Sequence, residues 1–131
     1  MIFIDSNIPM YLIGRPHANK ERTISILERL VRDEERLVTD AECLQEILHR
    51  YTAIRRIEAI QTAYDALLGI VDEVFPVDYD SLILAKDLLL VSRHVSVRVT
   101  VHAAVMKRMG VERIFSFDSD FDKFSFITRE F

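Results

Sequence analysis

Three carboxylates stand at points where folding could gather them. Asp5 closes the run Met1-Ile-Phe-Ile-Asp5, Glu46 lies in Asp40-Ala-Glu-Cys-Leu-Gln-Glu46, and Asp118 lies in Arg113-Ile-Phe-Ser-Phe-Asp118-Ser-Asp120. Taken singly, each has an ordinary explanation: Asp5 as a helix cap, Glu46 as solvated helix surface, and Asp118-Ser119-Asp120 as an Asx turn. Taken together they point to chemistry. Carboxylates gathered at one place repel one another and partly protonate unless a cation neutralises them. Mg²⁺ or Mn²⁺ suits that task, taking oxygen ligands and readily engaging phosphate. The reaction such a site performs is phosphodiester hydrolysis.

The elements that must position these acids follow from the apolar pattern. Ile2, Phe3 and Ile4 are apolar in succession, as in a strand buried on both faces of a parallel sheet, and Asp5 sits just beyond it. Residues 7–13 fit a short helix closed by Gly14, with Pro16 beyond. Ile24, Leu27, Leu30 and Val31 mark one face of a surface helix, whose charged tail, residues 32–36, reads as a solvated end. After a short strand at Leu37 and Val38, Thr39 and Glu42 have the spacing of a capping box opening the helix that carries Glu46. Its apolar face is Leu44, Ile47, Leu48 and Tyr51. Residues 54–71 predict a long amphipathic helix, residues 74–77 a third strand, and Asp78 or Asp80 the cap of a helix bearing Leu82, Ile83, Ala85, Leu88 and Leu89. Ile114-Phe115 and Phe126-Ile127 are the remaining strand candidates.

Alternating strands and helices predict an α/β fold: a three-layer α/β/α arrangement around a short, mainly parallel central sheet. Ligands in such folds bind beyond the carboxyl ends of the strands, which is where Asp5 and Asp118 would project. Residues 1–131 read as one domain, with no repeat or flexible linker. Seventeen basic against twenty-one acidic residues give a net charge of -4, so any contact with nucleic acid must be local and not a matter of bulk attraction. Cys43 is the single cysteine, which excludes an internal disulfide and fits a reducing compartment, with the cytoplasm as the expected location. No run approaches the ~18 apolar residues of a membrane span.

Met1-Ile-Phe-Ile-Asp5-Ser-Asn7 resembles the opening of PIN-domain ribonucleases, in particular the VapC-type toxins of toxin–antitoxin pairs, and the resemblance extends over essentially the whole chain. Thr39-Asp-Ala-Glu-Cys-Leu-Gln-Glu46 is similar to the family's second motif, Val97-Arg98-Val99-Thr100-Val101-His102-Ala103-Ala104 to its third, and Ser116-Phe117-Asp118-Ser119-Asp120-Phe121 to its fourth. The resemblance implies catalytic or metal-binding roles for Asp5, Glu46 and Asp118, with Asn7, Ser116 and Asp120 in support. It also implies Mg²⁺ or Mn²⁺ as cofactor, RNA as substrate, a cognate antitoxin as partner, and a homodimer.

The third motif of that family has an acid where this chain has Val99. Ser96 can cap a helix ending at Gly110, which places residue 99 at the third helical position, where an acid would face the positive end of the helix dipole. With valine there, Val95, Val97, Val99 and Val101 alternate with polar residues and imitate a strand. Val99 therefore reads as a replacement on an older background, giving an engineered or selected inactive form with weakened metal binding and a reduced rate. A natural lineage that kept only its binding surface is the alternative.

His49 and His102 are set aside as ordinary helical histidines, since no HExxH spacing is present. Arg50, Arg55, Arg56, Lys107, Arg108 and Arg113 offer local positive charge for RNA phosphates. A competing reading is a non-catalytic module that captures antitoxin or RNA without cutting it. A phosphoryl-accepting receiver domain would need paired acids after the first strand, and Asp5-Ser6-Asn7 lacks the pair.

Overall fold

Ile2, Phe3 and Ile4 are fully buried, and β1 (Ile2–Ile4) is accordingly the middle strand of the sheet. The computed structural model describes residues 1–130. Five strands lie in the order β3-β2-β1-β4-β5, with β2 (Leu37–Asp40), β3 (Glu73–Phe75), β4 (Arg113–Phe115) and β5 (Thr128–Glu130), and every pairing is parallel. The chain steps outward from β1 to β2 to β3, then returns across the sheet to β4 on the other side of β1. With right-handed crossovers, that reversal puts α1 (Asn7–Ile13), α2 (Ala18–Arg32), α3 (Ala41–Ala53) and α4 (Ile60–Ile70) on one face. It puts α5 (Tyr79–Val91) and α6 (Val97–Met109) on the other, and the contacts agree: α1 through α4 pack among themselves, and α5 packs on α6. This is the expected three-layer α/β/α fold, with a sheet that is wholly parallel.

Local chemistry explains the main starts and stops. Asp78 accepts a hydrogen bond from the Ser81 amide at 3.0 Å and opens α5. Ser96 accepts one from the Val99 amide at 3.2 Å and opens α6, so Val97, Val99 and Val101 belong to a helix, with residue 99 at its third position, and Val95 precedes it. Gly110 closes α6 at φ 72°, in the left-handed region that glycine enters without penalty.

Several expectations are corrected. Thr39 does not cap α3: its hydroxyl donates to the Ile4 carbonyl at 2.8 Å, tying β2 to β1, and Asp40 takes the capping role, accepting from the Cys43 amide at 3.0 Å. The helix over residues 54–71 begins only at Ile60, because Arg55 turns the chain at φ 57° and a 3-10 turn (Ile57–Ala59) intervenes. The buried face of α2 is Thr23, Leu27 and Leu30, and Ile24 and Val31 are left exposed. Phe126 and Ile127 precede the last strand instead of forming it. The charged run 32–36 is not merely solvated, since Glu35 holds Arg113 at 2.7 Å and Arg36 holds Glu73 at 2.6 Å.

A Cβ added at Gly110 would meet no atom within 4 Å. Gly110→Ala is therefore expected to cost only the left-handed backbone penalty, about 1 kcal/mol. Urea denaturation measures it, and an unchanged midpoint would count against this account of the helix end.

Candidate functional site

The ends of three neighbouring strands meet at one point. Asp5 follows β1, Asp40 ends β2 and Ser116 follows β4, and all three are buried. Asp5 Oδ1 accepts from the Ser6 amide at 2.7 Å, and its Oδ2 accepts from the Ser116 hydroxyl at 2.5 Å and, at 3.4 Å, from the Asn7 side-chain amide. Ser116 also accepts from the Asp118 amide at 3.0 Å, so the serine links the turn after β4 to the acid after β1. Glu46, from the second turn of α3, accepts from the Ser6 hydroxyl through Oε2.

The centre of this arrangement is a residue that sequence reasoning set aside. His102, fully enclosed in α6, directs Nδ1 to Asp40 Oδ2 at 2.8 Å and Nε2 to Glu46 Oε1 at 2.7 Å, with Asp5 Oδ1 at 3.9 Å. A ring with a carboxylate at each nitrogen satisfies both only by donating twice, which makes it an imidazolium. Burial opposes that charge, but the adjoining Cys43 sulfur and the Asp40 carboxylate outweigh it, and the pKa of His102 rises well above 6.5. Asp40 carries the electrostatic case, because burial pushes the Cys43 thiol up to about 12 and leaves it neutral.

The acids respond to the same surroundings. Burial raises the Asp5 pKa, with His102 pulling against it and Glu46 adding to it. Glu46 is also penalised by burial, but hydrogen bonds from His102 and Ser6 and the charges of His102 and Arg98 carry its pKa below 4.5. The signal that could have found His102 is its helix. Residues 99–106 of α6 are all buried, and a histidine in such a stretch needs partners for both nitrogens.

A cleft of about 610 Å³ opens over this network, lined by residues that include Asp5, Asn7, Glu46, Val99, His102 and Asp118. Of the acids expected from sequence, Asp5, Glu46 and Asp118 thus share one cleft. Val99, only 3% exposed, presents methyl groups there and belongs to the core. Asn7 lines the cleft and Ser116 lies beneath it as a hydrogen-bonding support. Asp120 is not drawn in: it sits in the 3-10 turn (Ser119–Lys123), where its carboxylate pairs with Lys123 at 3.0 Å.

Two donor sets could meet a cation. Asp5, Glu46 and Asp118 supply hard oxygens, joined by Asn7 Oδ1, a buried acceptor without a hydrogen-bond partner among the described residues. That set has the oxygen chemistry a hard divalent ion takes, with Val99 offering nothing on its side. Deeper down, Asp5, Cys43 and His102 bring an oxygen, a sulfur and a ring nitrogen within 4.8 Å of one another. That set fits poorly, because the imidazole is already engaged by two carboxylates and the thiol holds its proton.

Replacing His102 with leucine would leave Asp40 and Glu46 buried without their counter-charge, a loss of roughly 3–5 kcal/mol. The pH dependence has a definite sign. A raised histidine pKa contributes stability that is complete below about 6.5 and lost as pH rises through the folded-state value. The lowered Glu46 value acts oppositely, contributing above 4.5 and fading as pH falls through its folded-state value. Urea denaturation across pH should show the alkaline loss in this chain and a flatter alkaline limb in His102→Leu. Equal limbs in both would contradict the bridging role.

Residues 2–127 match the PIN domain family. Over 129 residues, 98% of each chain, the sequence is 50% identical to ribonuclease VapC13 of Mycobacterium tuberculosis. It is 34% identical over 118 residues to ribonuclease VapC23 of the same species, spanning 90% of this chain and 93% of that one. Among solved structures, the fold is similar to Mycobacterium tuberculosis VapC20, a sarcin–ricin loop cleaving toxin, with a TM-score of 0.77 at 22% identity and 97% of both chains covered. It is also similar to VapBC2 from Rickettsia felis bound to a DNA fragment from their promoter, with a TM-score of 0.76 at 15% identity, covering 99% of this chain and 98% of that one. Sequence identity over nearly the full length, on a parallel sheet with its acids gathered at the carboxyl edge, shows that the chain belongs to the PIN-domain family, among the VapC ribonucleases.

Proposed function

We propose that this protein is the endoribonuclease toxin of a type II toxin–antitoxin pair, built on a Mg²⁺ or Mn²⁺ site and impaired by Val99. The observation that carries the reading is the shared cleft of Asp5, Glu46 and Asp118. When bound, a hard divalent cation would neutralise the acids and polarise a phosphodiester. Asp5 and Asp118 are the residues to hold it, with the Asn7 amide oxygen beside them. Glu46, fixed at both oxygens by Ser6 and His102, is placed to orient a water toward the scissile phosphate. Ser116 keeps the Asp5 carboxylate turned toward the cleft.

Val99 supports a reduced rate on chemical grounds. It has no oxygen to offer the cation. The names of the relatives support RNA as substrate, the similarity to VapBC2 supports an antitoxin as partner, and the free thiol of Cys43 accords with the cytoplasm. An antitoxin would present basic residues to the acids. A homodimer accords with the exposed apolar side chains of α5, Leu82, Ile83, Leu90 and Val91. The second reading, a module that binds antitoxin or RNA without cutting, is favoured by the same valine together with His102, which already balances part of the acidic charge.

The test is cleavage of a structured RNA with Mg²⁺ by this chain and by Val99→Asp. Losing a group that merely supports a metal ligand costs about 10–100-fold, so restoring a direct ligand is expected to raise the rate by at least ~100-fold. EDTA should abolish the gain, and Asp5→Asn in the same background should remove it. Full cleavage by the unaltered chain would refute the impairment, and no cleavage by Val99→Asp would favour the binding module. Without a divalent ion, Val99→Asp is also expected to melt at a lower temperature, because a further acid then faces Asp5 and Glu46. Adding Mg²⁺ should restore the melting temperature, as differential scanning fluorimetry would report.

A further inference from the structure

The wall above the acids carries the opposite sign. Along α3 the residues lining the cleft include Glu42, Glu46, Arg50 and Ala53 on one stripe of the helix, with Gln45 and His49 beside it. The stripe passes from acid to base within about 6 Å of axial rise. From the facing helix, Arg98 lines the same cleft, next to Val99, and its charge favours the ionised form of both Glu42 and Glu46. Both arginines are exposed, and neither guanidinium has a hydrogen bond or ion pair among the described residues. Arg29, Arg36, Arg108 and Arg113 each hold a carboxylate, and what sets Arg50 and Arg98 apart from the other solvent-exposed arginines is that they line the acidic cleft. Two solvent-exposed guanidiniums lining an acidic cleft are free to meet an incoming anion.

We propose that Arg50 and Arg98 are the phosphate-holding pair of this cleft, gripping an RNA backbone on either side of the phosphodiester that rests over Asp5 and Glu46. The proposal rests on RNA being the substrate. A strand approaching a protein of net charge -4, and an acidic floor in particular, is repelled unless positive charge is placed locally. Arginine is suited to the task because its planar fork engages phosphate oxygens in pairs. The lining includes no Phe, Tyr or Trp, and its apolar members are Met10, Ala53 and Val99. Base stacking on the large rings of Phe, Tyr or Trp, the usual sequence-tolerant source of affinity for single strands, is therefore missing from this cleft, leaving the exposed imidazole of His49 as the ring a base could meet. Binding here leans on the backbone, so it is steeply salt-dependent and nearly indifferent to base identity.

The experiment uses the full chain with Val99 in place, so that turnover does not obscure binding. A fluorescein-labelled RNA stem-loop with an unpaired loop is titrated by anisotropy over a range of KCl concentrations. Arg50→Ala and Arg98→Ala are each expected to weaken binding about 5- to 10-fold and to reduce the salt slope by roughly 0.7–0.9, the value of one phosphate contact. Lysine at either position should recover part of the affinity, and Arg32→Ala, at the far end of α2, should change nothing. Melting temperatures identify any variant that fails to fold. If the double alanine variant binds with unchanged affinity and salt slope, or if RNA does not bind at low salt, the proposal is overturned. The nuclease reading is judged separately, by cleavage with Val99→Asp. Cleavage there that ignores both arginines would remove only their assignment.

Discussion

The site depends on one buried cation. Asp5, Asp40 and Glu46 lie within a few ångströms of one ring, largely buried at the floor of the cleft, and such a group of acids would ordinarily take up protons or push apart. His102 prevents both by standing between Asp40 and Glu46. Its ring is fixed laterally as well, with the centroid of Phe3 at 5.4 Å and that of Phe121 at 6.3 Å. Carboxylates hold its edge and aromatic rings approach it from β1 and from the turn before β5. One side chain from α6 thereby joins α3, β2 and the central strand, and the acids keep their positions because the imidazolium keeps its own.

The strand order explains why the acids converge here and nowhere else. β1 lies between strands reached in opposite directions, β2 on one side and β4 on the other. At such a reversal the connections leave a crevice at the carboxyl ends. Asp5 occupies the end of β1, the second turn of α3 leans in with Glu46 from one side, and the turn after β4 brings Ser116 and Asp118 from the other. The first turn of α6 forms the remaining wall, with Arg98, Val99 and His102. Helices from both layers therefore meet over the same strand end, the one place where residues from all parts of the chain can reach a common point.

Much of this was legible where a single local rule decided the outcome. The all-apolar β1, the Asp78 and Ser96 caps and the Gly110 stop each follow from neighbouring residues alone, and so does the placement of Asp5 and Asp118 beyond strands. The misreadings arose where a tertiary contact overrode a local pattern. Thr39 has the right spacing for a capping box, but its hydroxyl bonds the Ile4 carbonyl, and Asp40 next to it takes the cap. β5 escaped notice because Thr128, Arg129 and Glu130 show no apolar alternation. It is an edge strand whose Glu130 is gripped by Arg29 and Arg113. His102 was passed over because two of its partners, Asp40 and Glu46, lie 62 and 56 positions away in the chain, and no spacing rule reaches that far.

Val99 shows how stability and chemistry are opposed at this point. An acid at the third position of α6 would gain from the helix dipole, but it would bring another negative charge toward Asp5 and Glu46, whose buried counter-charge is His102. Valine removes that repulsion and joins the apolar core with 3% of its surface exposed. It leaves intact the Ser96 cap, which uses only the Val99 amide. The packing and capping requirements of the position are therefore met by valine, and what valine does not supply is an oxygen facing the cleft. The packing of α6 thus makes no demand for an acid at this position, and an oxygen there would matter only to what binds in the cleft.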